Sequence, residues 1–301
     1  AKSRNFRSDP AAFEKIFGRL RILIVHAGGD SKRLPPYGPC GKIFVPVPGE
    51  SDSALGVTLF DRLIPTYLEL PLPASAHGQV VVASGDVLLA FDAAKVRFAA
   101  DGITGIGCLA GPEVAKNHGV FCRGADGRVK SFLQKPSLEK QRSAGAVNSH
   151  GQAILDIGIL NLAPHAAAGL LDLCTIRKNR EGSLDLRGPV AAAIHAAGLD
   201  LYREICCAMG QETTFAGYED EVRSAGSKLG ADVLKQIYQR LKKVPFSVDV
   251  VPRLRFLHFG TLRELLDSGR ALLSADMGGP EKGENLVINS RLNEKGAIHG
   301  K

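Results

Sequence analysis

Residues 21–29, Arg-Ile-Leu-Ile-Val-His-Ala-Gly-Gly, constrain the fold more than any other stretch. Four consecutive apolar residues, Ile22 to Val25, run through His26 and Ala27 into Gly28 and Gly29. A short apolar run that stops at glycines reads as a strand buried on both faces of a parallel sheet. The pattern returns at 79–86, where QVVVAS leads into Gly85 and Asp86. Between the two, Val57, Phe60, Leu63, Ile64, Tyr67 and Leu68 fall at helical spacing over 57–70. Residues 9–19 predict a short helix with Asp9 as its cap and Pro10 in its first turn. Residues 118–136 predict a hairpin turning at Asp126-Gly127. A strand is expected over 153–162, a helix after Pro164, an Ala-rich helix over 188–209, and strands at 246–251 and 255–259. Thr261 and Glu264 then have capping-box spacing, opening a helix to about residue 273. Strands alternating with helices imply an α/β fold with a mainly parallel sheet, in which ligands bind beyond the carboxyl ends of the strands. Gly28, Gly29, Gly85 and Asp86 all fall at such ends. From residue 276 to 301 the chain turns Gly- and Asn-rich, as if a second domain began there.

Composition narrows the partners. The 301 residues suit about two domains or one large one, and 45% apolar with 23% charged residues is globular rather than disordered. No apolar run reaches the ~18 residues of a membrane span; the richest, 153–173, is broken by Asp156, Asn161, Pro164 and His165. No membrane association is therefore expected and no signal peptide opens the chain; a start at Ala1 points to a processed chain or a piece of a longer one. A net charge of +7 attracts anions. The basic residues are spread out, there is no Trp, and no basic run carries interleaved aromatics, which favours phosphorylated small molecules over nucleic acid. Six cysteines include no CxxC pair, which fits free thiols in a reducing compartment, the cytoplasm.

The chemistry concentrates in residues 26–48, HAGGDSKRLPPYGPCGKIFVPVP. Gly28 and Gly29 let a phosphate reach backbone N–H groups, and Ser31 adds a hydroxyl. Arg33 offers a planar fork of donors and Lys42 a second cation, close enough in sequence to meet on one polyphosphate. The segment is not a Walker loop, because Ile43 follows Gly41-Lys42. Gly105-x-Gly107-x-x-Ala110 runs into Gly111-Pro112 and is discounted as a dinucleotide fingerprint. No serine–histidine–carboxylate arrangement competes.

The pattern AGG-x-S-x-R-L-P followed by a Lys resembles the signature of sugar nucleotidyltransferases. Five further segments follow in order: ASGDVLL (83–89), NHGVF (117–121), SFLQKPSL (131–138), LDIGI (155–159) and FLHFGTLRELL (256–266). Over about residues 20–275 the set resembles the GDP-fucose pyrophosphorylase region of bifunctional fucokinase/GDP-fucose pyrophosphorylases and the stand-alone fucose-1-phosphate guanylyltransferases. The resemblance implies a Rossmann-like sheet of the glycosyltransferase-A type over 1–275, followed at 276–301 by the start of a β-helix-like domain. It implies transfer between GTP and L-fucose 1-phosphate with Mg²⁺, and a sugar kinase as a fused or partner domain. It further implies that Arg33 holds the triphosphate, that Lys42 bridges the α-phosphate and the sugar phosphate, and that Asp86 binds Mg²⁺. Lys135 would contact sugar or phosphate, and Asp156 would support the sugar pocket.

One position departs from the wider group. Many sugar nucleotidyltransferases carry a metal-binding Asp two residues before a Gly-Thr pair; here Gly260-Thr261 is preceded at that position by His258. Imidazole suits Mg²⁺ poorly. His258 is therefore expected either to contact phosphate or substrate hydroxyls, or to be a core histidine bonded to backbone. Nothing before Arg21 resembles the additional Gly-rich segment of the fucose group. Four other functions stay open at this point: a pyrophosphorylase for another sugar 1-phosphate, a glycosyltransferase, a non-catalytic nucleotide-binding module of the same fold, and nucleic-acid binding, which has little beyond charge to support it.

Overall fold

A computed structural model describes residues 9–26, 34–47, 57–74, 76–178, 181 and 183–276. In chain order the elements are α1 (Pro10–Phe17), β1 (Arg21–His26), α2 (Leu59–Leu68), β2 (Gln79–Ser84), β3 (Val87–Ala90), β4 (Ile103–Ala110), α3 (Pro112–Ala115), β5 (Gly119–Arg123), β6 (Val129–Gln134) and α4 (Leu138–Ser143). There follow β7 (Ala153–Leu162), α5 (Pro164–Leu171), β8 (Thr175–Lys178), β9 (Leu184–Arg187), α6 (Pro189–Ala197), α7 (Phe215–Ser224), α8 (Ala231–Leu241), β10 (Phe246–Val250), β11 (Arg255–His258) and α9 (Leu262–Asp276). The chain divides into two compact units. The first takes the segments Ala1–Ile24, Pro71–Val82 and Ala94–Arg253; the second takes Val25–Leu70, Ala83–Ala93 and Leu254–Lys301.

The first unit carries a seven-stranded mixed sheet ordered β1-β2-β7-β4-β10, with β5 pairing both β7 and β6. β1 and β2 run the same way: Gln79 N–H donates to the Leu20 carbonyl and Gly85 N–H to that of His26, an offset of 59 at both ends (79 − 20 and 85 − 26). β4 and β10 are parallel, whereas β4–β7, β5–β7 and β5–β6 are antiparallel. The sheet is thus mixed, and the expected hairpin is β5–β6. Gly105 and Gly107 lie inside β4, against Phe121 and Ile154, so they belong to sheet packing and not to a nucleotide loop.

The core here is built on Phe121, Phe132 and Phe246. Phe121 meets the other two edge-on, with centroids 5.0 and 5.8 Å away. α8 buries Leu234, Ile237, Tyr238 and Leu241, the i, i+3, i+4, i+7 stripe of an amphipathic helix. Each such side chain contributes roughly 1.5–3 kcal/mol by leaving water. Tyr238 stacks on Tyr218 at 5.7 Å. All six cysteines are free, and Cys122, Cys174, Cys206 and Cys207 are buried.

Two expectations need correction. β1 is not buried on both faces: it stands first in the sheet order, and Ile24 is 48% exposed. The predicted helix over 188–209 is broken. α6 stops at Ala197 because Gly198 takes a left-handed φ of 77°, and a separate turn begins at Leu201, capped by the Asp200 side chain.

In the second unit, α2 begins at a complete capping box. The Asp61 carboxylate accepts from Thr58 N–H at 2.8 Å, and Thr58 Oγ1 accepts from Asp61 N–H at 3.3 Å. Leu59, Leu63 and Tyr67 are its buried face. β3 and β11 pair antiparallel, setting His258 opposite Val87. α9 follows and holds the end of β11, with Ser268 Oγ donating to the His258 carbonyl at 2.7 Å. Residues 277–301, where the second domain was expected to begin, lie outside the described residues.

Candidate functional site

The second unit gathers three of the expected side chains. Lys42 opens a 3₁₀ turn, Lys42–Phe44, just after Gly41 at φ 81°. Buried Ile43 and Val45 anchor that turn, and Leu59 N–H donates to the Val45 carbonyl. Lys42 is 8% exposed, and its Nζ lies 3.5 Å from Asp86 Oδ2. Asp86 stands between β2 and β3, and its carbonyl accepts from Phe259 N–H. Because β3 pairs with β11, the ring of His258 reaches the same carboxylate, with Nε2 3.6 Å from Oδ2. The other carboxylate oxygen, Oδ1, accepts from Ser84 Oγ at 2.9 Å, and Tyr67 donates its phenolic O–H to the Ser84 carbonyl.

His258 is held from its far side as well. Its Nδ1 lies 2.8 Å from Glu264 Oε1, in the first turn of α9. The result is a row of four titratable groups: Lys42, Asp86, His258, Glu264. Gly260 closes it. A Cβ there would stand 2.6 Å from His258 Cε1 and 2.9 Å from Nε2, so only glycine lets the chain pass this close to the ring.

The electrostatics follow from this geometry. Burial pushes the Asp86 carboxyl up, but hydrogen bonding and charge from His258, the Ser84 hydroxyl and Lys42 outweigh burial and hold it well below the usual carboxylate range. Burial pushes the His258 imidazolium down, but the Asp86 and Glu264 carboxylates more than offset it, so its pKa is raised. The Tyr67 phenol is pushed far up by burial and by the Asp86 charge, which keeps it a donor. Asp86 is thus held as an anion between Lys42 and His258. Both ring nitrogens of His258 face carboxylates.

Glu264 is the residue that spacing misread. Thr261 Oγ1 does accept from Glu264 N–H at 3.2 Å, which is half of a capping box. The Glu264 side chain goes to His258 instead of returning to Thr261. Ser84 and Tyr67 were also missed, since nothing in their local pattern marks them.

Two expected site residues sit elsewhere, in the first unit. Lys135 ends the β5–β6 hairpin and lines a cavity there. Asp156 lies within β7 opposite Gly107, buried, with Oδ1 accepting from Gly158 N–H at 2.9 Å. Burial raises its pKa to about 7, against the lowering effect of that bond. It does not line the cavity of Lys135. Gly28, Gly29, Ser31 and Arg33 lie outside the described residues. Among the described residues no three His, Cys, Asp or Glu side chains form a ready metal cage.

A nearly buried lysine and a histidine flank one carboxylate on an α/β framework, and the fold and cluster define the class as an α/β protein with a charged side-chain site. The comparisons with known proteins make it particular. The family model described as the fucose pyrophosphorylase domain matches residues 14–298. The chain belongs to the fucose pyrophosphorylase family. It is 28% identical over 269 residues to the L-fucokinase/L-fucose-1-P guanylyltransferase of Bacteroides fragilis, covering 88% of this chain and 24% of that protein. It is 28% identical over 279 residues to the bifunctional fucokinase/GDP-fucose pyrophosphorylase of Arabidopsis thaliana, with the same two coverages, 88% and 24%. With the fucose-1-phosphate guanylyltransferase of Mus musculus the identity is 28% over 272 residues, 82% of this chain and 44% of that protein. The chain therefore spans 24% to 44% of the length of these relatives. No helix among the described residues is long and apolar enough to cross a membrane.

Proposed function

We propose that this chain carries guanylyl transfer between GTP and L-fucose 1-phosphate, giving GDP-L-fucose and pyrophosphate, on an α/β core of the glycosyltransferase-A type. The observation that carries this reading is the convergence of Lys42 and His258 on one oxygen of Asp86, in a chain of the fucose pyrophosphorylase family. A phosphate oxygen of the sugar phosphate attacks the α-phosphorus of GTP, and the bond from that phosphorus to the β-phosphate oxygen breaks. The nucleophile is already an anion, so no protein base is needed. What the reaction asks of a protein is to bring two anions together and to neutralise charge as pyrophosphate leaves.

Lys42 suits that task. Its ammonium is largely withdrawn from water, where its field on a phosphate is least screened. Asp86 fixes that ammonium in place. Asp86 is also the residue we assign to Mg²⁺: a single partly exposed carboxylate, 27% accessible, fits an ion that completes its shell with substrate phosphates and water. Mg²⁺ when bound would supply further charge neutralisation on the triphosphate. Arg33 remains assigned to the triphosphate through its motif.

The test is pyrophosphate release by the protein with GTP, Mg²⁺ and L-fucose 1-phosphate, against a panel of other sugar 1-phosphates and against UTP and ATP. Lys42→Ala is expected to lower turnover by about 10²–10³-fold, as for loss of one charge-stabilising donor. A different preferred sugar would replace fucose in this reading. Unchanged turnover in Lys42→Ala would remove the proposed role of the cluster.

A further inference from the structure

A cavity of about 220 Å³ opens in the second unit, at the other end of the β3–β11 pair from His258. His258 pairs with Val87 and Arg255 with Ala90, three residues along, which is roughly 10 Å at the rise of a strand. The charged wall of the cavity comes from two arginines on different elements, Arg62 of α2 and Arg255 of β11, both half-buried. Thr66 lies four residues after Arg62, on the same face of α2, and adds a hydroxyl. α9 orients the second arginine: Arg255 Nη2 donates to the Ala271 carbonyl at 2.7 Å. A guanidinium carries five donors in one plane, so that bond sets its direction and spends one of them.

The rest of the wall is apolar. Leu89, Leu257 and Leu272 line it, and Leu89 and Leu272 are buried. No Asp or Glu is among the described residues that line the space. Two cations facing one small space repel each other, and an anion placed between them turns that repulsion into attraction. Water gains little beside leucine side chains, whereas an apolar body laid on them leaves water favourably. The volume matches roughly seven water molecules at ~30 Å³ each, too small for a nucleotide.

We infer that this cavity binds a short-chain organic carboxylate, a planar anionic head on an apolar body of a few carbons. Arg62 and Arg255 take the head, since a guanidinium fork matches the two oxygens of a carboxylate, and Thr66 adds a hydroxyl at its edge. Leu89, Leu257 and Leu272 cover the body. Inorganic phosphate has the charge but nothing to lay on leucine, and a neutral amide has the body but no charge. The site is distinct from the Asp86 cluster, and the inference does not rest on the guanylyl-transfer reading.

Calorimetric titration of the protein with 3-methylbutanoate tests the inference, with acetate, inorganic phosphate and 3-methylbutanamide as comparison probes. The branched carboxylate, with about seven non-hydrogen atoms, fills the space and is expected to bind at least tenfold more tightly than each of the three. Arg62→Gln and Arg255→Gln are each expected to weaken it at least tenfold, as for loss of a charge-assisted bond. Ala90→Leu keeps both charges and adds bulk opposite Arg255, at an exposed strand position that does not threaten the core; it is expected to abolish binding, and it keeps the test decisive if Arg255→Gln does not fold. Lys42→Ala is expected to leave the affinity within about twofold of the wild type, because the probe sits away from the Asp86 cluster. Several results overturn the inference. Acetate or phosphate binding as tightly reduces the site to bare charge, and the amide binding as tightly reduces it to an apolar hollow. Unchanged affinity in Arg62→Gln and Ala90→Leu, loss of binding in Lys42→Ala, or no saturable binding to the wild type each removes the site.

Discussion

His258 shows how far a single position can depart from a motif and keep its charge logic. At this position the chain carries a ring, and it supplies carboxylates on either side, Asp86 and Glu264. Glu264→Gln keeps an acceptor for Nδ1 but removes a charge, so turnover in the pyrophosphate assay is expected to fall about tenfold with little change in KM. Glu264→Ala is expected to lose more, and Glu264→Asp to recover part. Asp156 makes the opposite case. Its pKa rises from 3.8 unfolded to about 7 folded, so its contribution is complete below pH 3.8, shrinks as pH rises, and is gone above about pH 7. The difference is on the order of 4 kcal/mol. Asp156→Asn is expected to match the wild type near pH 4 and to exceed its stability at pH 8, as measured by urea unfolding at both values. Lys42, Asp86 and His258 were legible from strand-end position and motif. Glu264 was not, because its partner is presented by a strand end six residues earlier and not by its own helical turn.

At the scale of elements, strands β2 and β7 and helices α2 and α5 are legible in the sequence. β7 and the β5–β6 hairpin match their expected spans closely. β4 did not stand out, since Gly105 and Gly107 dilute its β-propensity and its stability comes from neighbours such as Phe121. α7 and α8 also went unassigned, although α8 has a clean apolar stripe among polar residues. Leu234→Ala, in the middle of that stripe and fully buried, is expected to cost about 2–5 kcal/mol in denaturant unfolding. An effect under 1 kcal/mol would mean that α8 is not integral to the core. The overlong 188–209 helix has a simple cause: alanine content outweighed one glycine, whereas a left-handed Gly198 is enough to end a helix.

At the scale of the molecule, each unit is assembled from three separated stretches of chain. A linear pattern of composition does not reveal such interleaving, because no linker marks its boundaries. The net charge of +7 bears on the whole surface and favours anionic ligands of any size. Binding is therefore best read as a stability change with a control. GTP at 100 times its Kd is expected to stabilise the protein by about 2.7 kcal/mol, seen as a raised unfolding midpoint, and Lys42→Ala is expected to remove most of that gain. The pairing of β3 with β11 carries its own consequence. Val87 meets His258 at a sequence separation of 171 (258 − 87), so during synthesis Asp86 leaves the ribosome long before its imidazole neighbour has been translated. A growing polypeptide thus holds an incomplete quartet until this late strand emerges, and premature termination anywhere between the two yields a product with Asp86 and Lys42 but without the other half.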